Sequence, residues 1–191
     1  HVFDTGGTLI KYIGDAIFAI WGAPLRMDDH ATAACRAAIG MSRLQEKLGD
    51  RPAGRLTTRI GVHTGTMLVG NLGSTQRFDY TAIGDTINLA ARLEGINKHF
   101  GTRALASAET LAATDGSFVC RLVGRVQVVG RGKPVAVYEL LGMTGEATRP
   151  DAGAIVHFDR ALADYDARRF REAAAGFEDV RRQCGGSDGP S

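Results

Sequence analysis

The sequence predicts a mixed domain of interleaved strands and helices, α/β or α+β, followed by a short pair of helices. Three observations carry this expectation. Apolar residues recur at helical spacing over 28–48 and 86–100, and short apolar runs bounded by glycine lie before, between and after them. Beyond residue 142 an aperiodic stretch gives way to purely helical spacing. The 191 residues, 44% hydrophobic and 23% charged, suit one globular domain with a small appendage and can bury a core without disulfides or metal staples.

The elements follow in order. Residues 9–22 hold two apolar runs hinged at Gly14-Asp15, which suits a β-hairpin. After Asp28-Asp29, the residues Ala31, Ala34, Cys35, Ala38, Ile39 and Leu48 line one helix face, and Gly49 with Pro52 should end that helix. Residues 57–70 read as strand, turn and strand about Thr64-Gly65, and Arg77 to Ile83 as a further strand. Asp85 is placed to cap a helix to about Phe100, with Ile87, Ala90, Leu93 and Ile96 or Asn97 on its buried stripe and Gly101 as its stop. Strands are expected at 103–106, 118–129 and 134–141, with a short helix from Ser107 to Ala113. The two long helices are expected on one face of a mixed sheet. This domain should end near Gly142, and 143–153 should be a linker. Over 154–183, Ile155, Phe158, Leu162 and Tyr165, then Phe170, Ala173, Ala174 and Phe177, outline a helical hairpin similar to a tetratricopeptide repeat; residues 184–191 should be a disordered tail.

Composition excludes several classes. Lys plus Arg number 23 against 21 Asp plus Glu, a formal charge of +2 with no block of one sign, which argues against a mainly electrostatic nucleic-acid binder. Cys35, Cys120 and Cys184 are far apart and odd in number, so a zinc site or disulfide framework is not expected, and a cytoplasmic setting is. No apolar run approaches the roughly 20 residues that cross a bilayer, and residues 1–8 lack the features of a signal peptide. The sequence opens on His1 in mid-segment and reads as a piece of a longer protein.

Three clusters carry chemistry. Lys11-Tyr12-Ile13-Gly14-Asp15 puts a carboxylate at a hairpin tip, where a hard cation could meet it, although Gly-Asp also simply makes a turn. Arg59-Ile60-Gly61-Val62-His63-Thr64-Gly65 offers an arginine fork to phosphate, although an arginine at a strand edge is commonly just solvated; His63 reads as structural. Asp79 to Glu94 places Asn88 and Arg92 four apart on one helix face off the apolar stripe, which suits a clamp for an anion or sugar, or else a solvated polar face.

Taken together, K-x-x-G-D, R-I-G-x-H-T-G and G-N-x-G-S-x-x-R-x-D-Y-T-x-I-G-D-x-I-N-L-A-A-R-L-E resemble the class III nucleotidyl cyclases, most of all the bacterial adenylate cyclases, from about Gly7 to Gly142. The resemblance implies a ferredoxin-like α+β domain related to polymerase palms, working as a head-to-tail homodimer with two active sites at the interface. It implies ATP as substrate, with Lys11 and Thr81 close together to read the adenine edge. Asn88 would orient the ribose, Arg92 would neutralise charge at the α-phosphate, and Arg59 would contact the phosphate chain. Asp15 would be one of two aspartates that hold two Mg²⁺ (or Mn²⁺) ions per site, which assist attack of the 3′-hydroxyl on the α-phosphate.

The chain also departs from the family's pattern. The other metal aspartate belongs on a strand upstream of K-x-x-G-D, but only ten residues precede Lys11, so this chain alone is expected to be nearly inactive. Val129 stands before the glycine near which the family often places a lysine for the terminal phosphate, leaving Arg131 or Lys133 for that contact. Two other readings stand beside an adenylate cyclase: a silent nucleotide-binding half that regulates an active partner, and an interaction module that recruits a protein partner through the C-terminal helices.

Overall fold

The computed structural model describes residues 1–48, 58–74, 76–127, 134–148 and 150–185. Gly49, Pro52, Val129, Arg131 and Lys133, and the tail from 186, lie outside the described residues.

The expected hairpin forms from β1 (Thr8–Ile13) and β2 (Ala16–Ile20), antiparallel with Ile13 opposite Ala16. Gly14 turns the chain at φ +62°, a conformation costly to other residues, so Asp15 is held at the tip. Helix α1 (His30–Leu48) follows, then β3 (Ile60–Val62), β4 (Leu68–Gly73), β5 (Phe78–Ile83), α2 (Asp85–Phe100), β6 (Ala104–Ser107), α3 (Ala108–Ala112), β7 (Phe118–Val126) and β8 (Val135–Met143). The main sheet has the order β3-β6-β8-β7, with β3 parallel to β6 and the other pairs antiparallel. The β1–β2 and β4–β5 ribbons are separate sheets. This is the mixed α+β architecture that the sequence predicted.

The segment 57–70 holds two strands about Thr64-Gly65 as read, but they do not pair with each other: β3 joins the main sheet beside β6, while β4 pairs with β5. The Thr64-Gly65 connection passes between sheets beneath α2, where Thr86 Oγ1 donates to the Thr66 carbonyl at 2.8 Å. Two local expectations are corrected. Asp85 does not cap α2; Gly84 occupies that position without a side-chain cap, and Asp85 is the first helical residue, where its charge still favours the helix dipole. The buried stripe of α2 is Thr86, Leu89, Leu93 and Asn97: Leu93 and Asn97 are as read, Thr86 and Leu89 stand in place of Ile87 and Ala90, and Ile96 packs partly buried on the same core.

The two long helices lie on opposite faces of the main sheet rather than on one. On β6, Leu105 packs with Leu89 and Leu93 of α2, whereas its neighbours Ala104 and Ala106 pack with Cys35, Ala38 and Ile39 of α1. Successive strand residues point to opposite faces, so this alternation puts a helix on each side. A strand buried on both faces shows no polar alternation, and its sequence does not say which helix covers which side. Cys35 sits in the α1 layer, where burial pushes its thiol up to about 12.

Asp151 caps α4 (Ala152–Asp166) by accepting from the Ala154 amide at 2.9 Å, and α5 (Phe170–Gln183) folds back on it with Phe158 and Phe177 at 5.2 Å between ring centres. Phe158 and Ala173 are buried, while Tyr165 and Phe170 stack edge-on in solvent at the turn. The hairpin docks on β7. The Phe158 ring lies 4.7 Å from the guanidinium carbon of Arg121, which is buried and paired with Glu139 at 2.7 Å, and Arg125 pairs with Asp166. An aromatic lid over a buried cation holds the appendage against the sheet by both cation–π attraction and apolar burial.

Candidate functional site

The candidate residues sit on four pieces of the fold. Lys11 lies on β1 opposite Phe18, and Asp15 at the β1–β2 turn; both are exposed. Thr81 is half-buried on β5, opposite Gly70 of β4. A side chain at Gly70 would meet no atom within 4 Å, so the ribbon is uncovered at that position. Asn88 and Arg92 are exposed one turn apart on α2, with the small, exposed Ala91 and Gly95 next to Arg92. Arg59, half-buried, leads into β3.

The helix carrying Asn88 and Arg92 is seated tightly on the strand that Arg59 precedes. A Cβ on Gly61 would lie 2.1 Å from the Ala90 carbonyl and 2.4 Å from the Glu94 amide, so α2 rests backbone-to-backbone on β3. Thr81 is joined to the start of α2 through Ile83 and Gly84. The structure therefore places Arg59, Thr81, Asn88 and Arg92 on one connected framework of β3, β5 and α2. Lys11 and Asp15 lie on the β1–β2 ribbon, which shares no strand pairing with the other sheets.

None of these six side chains makes a hydrogen bond or ion pair with another described residue, whereas Arg43, Arg121, Arg125, Arg169 and Arg181 are all paired with carboxylates. An unengaged amide, hydroxyl, ammonium and two guanidinium groups form a donor set suited to a polyanionic ligand with a polar ring. His63, as expected, has a structural setting: its Nδ1 is 2.7 Å from Ser107 Oγ, which caps α3. Of the two residues the spacing offered for the end of the buried stripe, Ile96 and Asn97, it is Asn97 that is fully buried on α2; what the spacing did not reveal is that its amide ties α2 to β3.

As a metal ligand, Asp15 is an exposed, hard oxygen donor. Among the described residues no group of three His, Cys, Asp or Glu could hold a metal ion. One carboxylate does not fit the two-ion set that the sequence implied.

Around these groups the surface is apolar. Tyr12 (68% exposed), Ile13 and Ile17 on the β1–β2 ribbon, and Leu68 (64%), Phe78 and Ile83 on the β4–β5 ribbon, face solvent. Large apolar residues clustered beside polar ones commonly mark a surface covered by a partner. No described helix is long and apolar enough to cross a membrane.

Comparison with known proteins places the chain in a family. The family model for the adenylate and guanylate cyclase catalytic domain matches residues 3–142. Adenylate cyclase 1 of Rhizobium meliloti is 39% identical over 151 residues, covering 77% of this chain and 23% of that protein, so the chain spans about a quarter of its relative. Among solved structures, an adenylyl cyclase from P. aeruginosa superposes with a TM-score of 0.60 at 29% identity over 73% of this chain and 74% of that one. A guanylyl cyclase superposes with a TM-score of 0.62 at 27% identity over 75% and 74%.

Proposed function

Because this chain belongs to the adenylate and guanylate cyclase catalytic domain family, we propose that it is the catalytic domain of an adenylate cyclase, which converts ATP to 3′,5′-cyclic AMP and pyrophosphate for intracellular signalling. The observation that carries the choice of ATP is the pair Lys11 and Thr81. Both adenylyl and guanylyl cyclases share the fold, so the base must be chosen by side chains. A lysine ammonium can only donate, which suits the adenine N1 acceptor, and a threonine hydroxyl can accept from the 6-amino group. Guanine reverses this pattern, with an N1–H donor and a 6-carbonyl acceptor.

The remaining roles follow from chemical type. The 3′-hydroxyl oxygen attacks the α-phosphorus, the bond from that phosphorus to the bridging oxygen breaks with release of pyrophosphate, and the hydroxyl proton passes to water. Asn88 orients the ribose so that the hydroxyl lies in line. Arg92 stabilises charge that grows on the α-phosphate oxygens, and Arg59 holds the phosphate chain. Positioning and electrostatics dominate phosphoryl transfer, so no protein nucleophile is needed. Asp15 would supply a carboxylate oxygen to Mg²⁺ or Mn²⁺.

The exposed apolar residues of the two ribbons support a head-to-tail homodimer, in which Asp15 of one copy faces the site formed by Lys11, Thr81, Asn88 and Arg92 of the other. ATP as substrate assigns the domain to the cytoplasm. The C-terminal hairpin, similar to a tetratricopeptide repeat, is a separate unit in this reading, with the Tyr165–Phe170 pair available to a protein partner. The test is base choice. The full-length protein should prefer ATP to GTP in kcat/KM by at least about 10²-fold, because the wrong base leaves polar groups unpaired. Cyclic GMP formed at an equal or greater rate would refute the assignment of Lys11 and Thr81.

A further inference from the structure

Asn97 is fully buried, five residues beyond Arg92 on the opposite face of α2. Its Nδ2 donates toward three carbonyls: Leu93 at 2.9 Å and Glu94 at 3.1 Å in its own helix, and Ile60 on β3 at 3.0 Å. Its Oδ1 accepts from the Thr102 hydroxyl at 2.8 Å, so both ends of the amide are engaged and its orientation is set by its partners. The backbone adds to the knot: the Thr102 amide donates to the Asn97 carbonyl, and the Ile60 amide donates to the Arg103 carbonyl. Ile60 is thus held at its N–H by the chain after α2 and at its C=O by a side chain of α2. It is also the residue after Arg59 and before Gly61, on which α2 rests.

We propose that Asn97 is a positioning residue for phosphoryl transfer, setting the register of α2 on β3 and so the placement of Asn88 and Arg92 relative to Arg59. The inference rests on the cyclase reading above. Gly61 alone leaves α2 free to slide along a smooth contact; a directional bond from Asn97 to one carbonyl fixes a single register. Arg92 acts on charge that develops in the transition state, so a shift of about 1 Å lowers turnover more than ground-state binding.

The experiment uses the full-length protein, with kcat and KM for ATP measured for Asn97→Ala, Thr102→Val, Arg92→Ala and the Asn97→Ala/Arg92→Ala double variant. Asn97→Ala should lower kcat on the order of 10- to 100-fold, with KM within about threefold. Thr102→Val, which removes only the bond that orients the amide, should lower kcat about 3- to 10-fold in the same way, and decides the matter if Asn97→Ala does not fold. The double variant should be scarcely slower than Arg92→Ala alone, because Asn97 acts through Arg92. Unchanged kcat in folded Asn97→Ala or Thr102→Val, or losses that multiply in the double variant, would reduce Asn97 to a stabilising residue. Either result leaves the cyclase reading standing as long as Arg92→Ala is itself inactive; a fully active Arg92→Ala would instead overturn that reading, and this inference with it.

Discussion

Arg92→Ala in the full-length protein is expected to lower kcat for cyclic AMP formation by about 10³-fold while changing KM for ATP much less, because an arginine serving a transferring phosphoryl group contributes on that order. Arg92 is exposed, makes no ion pair with a described residue, and stands beside Ala91 and Gly95, which leave room for a ligand. Its removal takes away no internal contact, so the loss should appear with little change in melting temperature. Arg92→Lys should recover only part of the rate, since an ammonium cannot offer the two parallel donors of a guanidinium. Kinetics beside thermal unfolding checks this: equal losses in kcat and stability would mean that Arg92 supports the fold and not the reaction.

Lys11→Glu is expected to reverse base preference, moving the ratio of ATP to GTP turnover by about 10²-fold or more. The change replaces a donor with an acceptor at one hydrogen-bonding position. Adenine N1 then faces a carboxylate, whereas guanine N1–H gains a partner. Lys11 is exposed on β1, opposite Phe18, so the substitution removes no buried contact. Thr81→Ala in addition should help GTP further by leaving space for the 6-carbonyl. Turnover of both nucleotides by each variant is the measurement; an unchanged ratio would remove Lys11 from the base-reading role.

How much of this is legible in the sequence differs from element to element. The β1–β2 hairpin is, because Gly14-Asp15 interrupts two apolar runs and few other turns suit that spacing. The exposed face of α2 is also legible, since Asn88 and Arg92 lie off any apolar stripe. The buried face is less so: spacing leaves Ile96 and Asn97 as alternatives, and Asn97 is the buried one because the Ile60 carbonyl, far away in sequence, meets its amide while the nearby Thr102 hydroxyl fixes the other end. The division of 57–70 between two sheets is hidden for a similar reason, as the partners of β3 and β4 are strands that come later in the chain. Opposite placement of α1 and α2 rests on the alternation of Ala104, Leu105 and Ala106, three apolar residues that read alike. The proposed site is harder still, because Asp15 and Arg92 of one copy would serve different sites.

That sharing is the central claim, and mixing two dead variants tests it most directly. Full-length Asp15→Ala and full-length Arg92→Ala should each be nearly inactive as homodimers. In a heterodimer of the two, one site carries both defects and the other carries neither. Under free exchange, activity should return toward roughly half of wild type per heterodimer, as expected for two independent sites on a two-fold axis. A mixture that stays as inactive as its components, with heterodimer formation established by differently tagged subunits, would mean that both residues act in one copy's site, and the shared interface would be wrong.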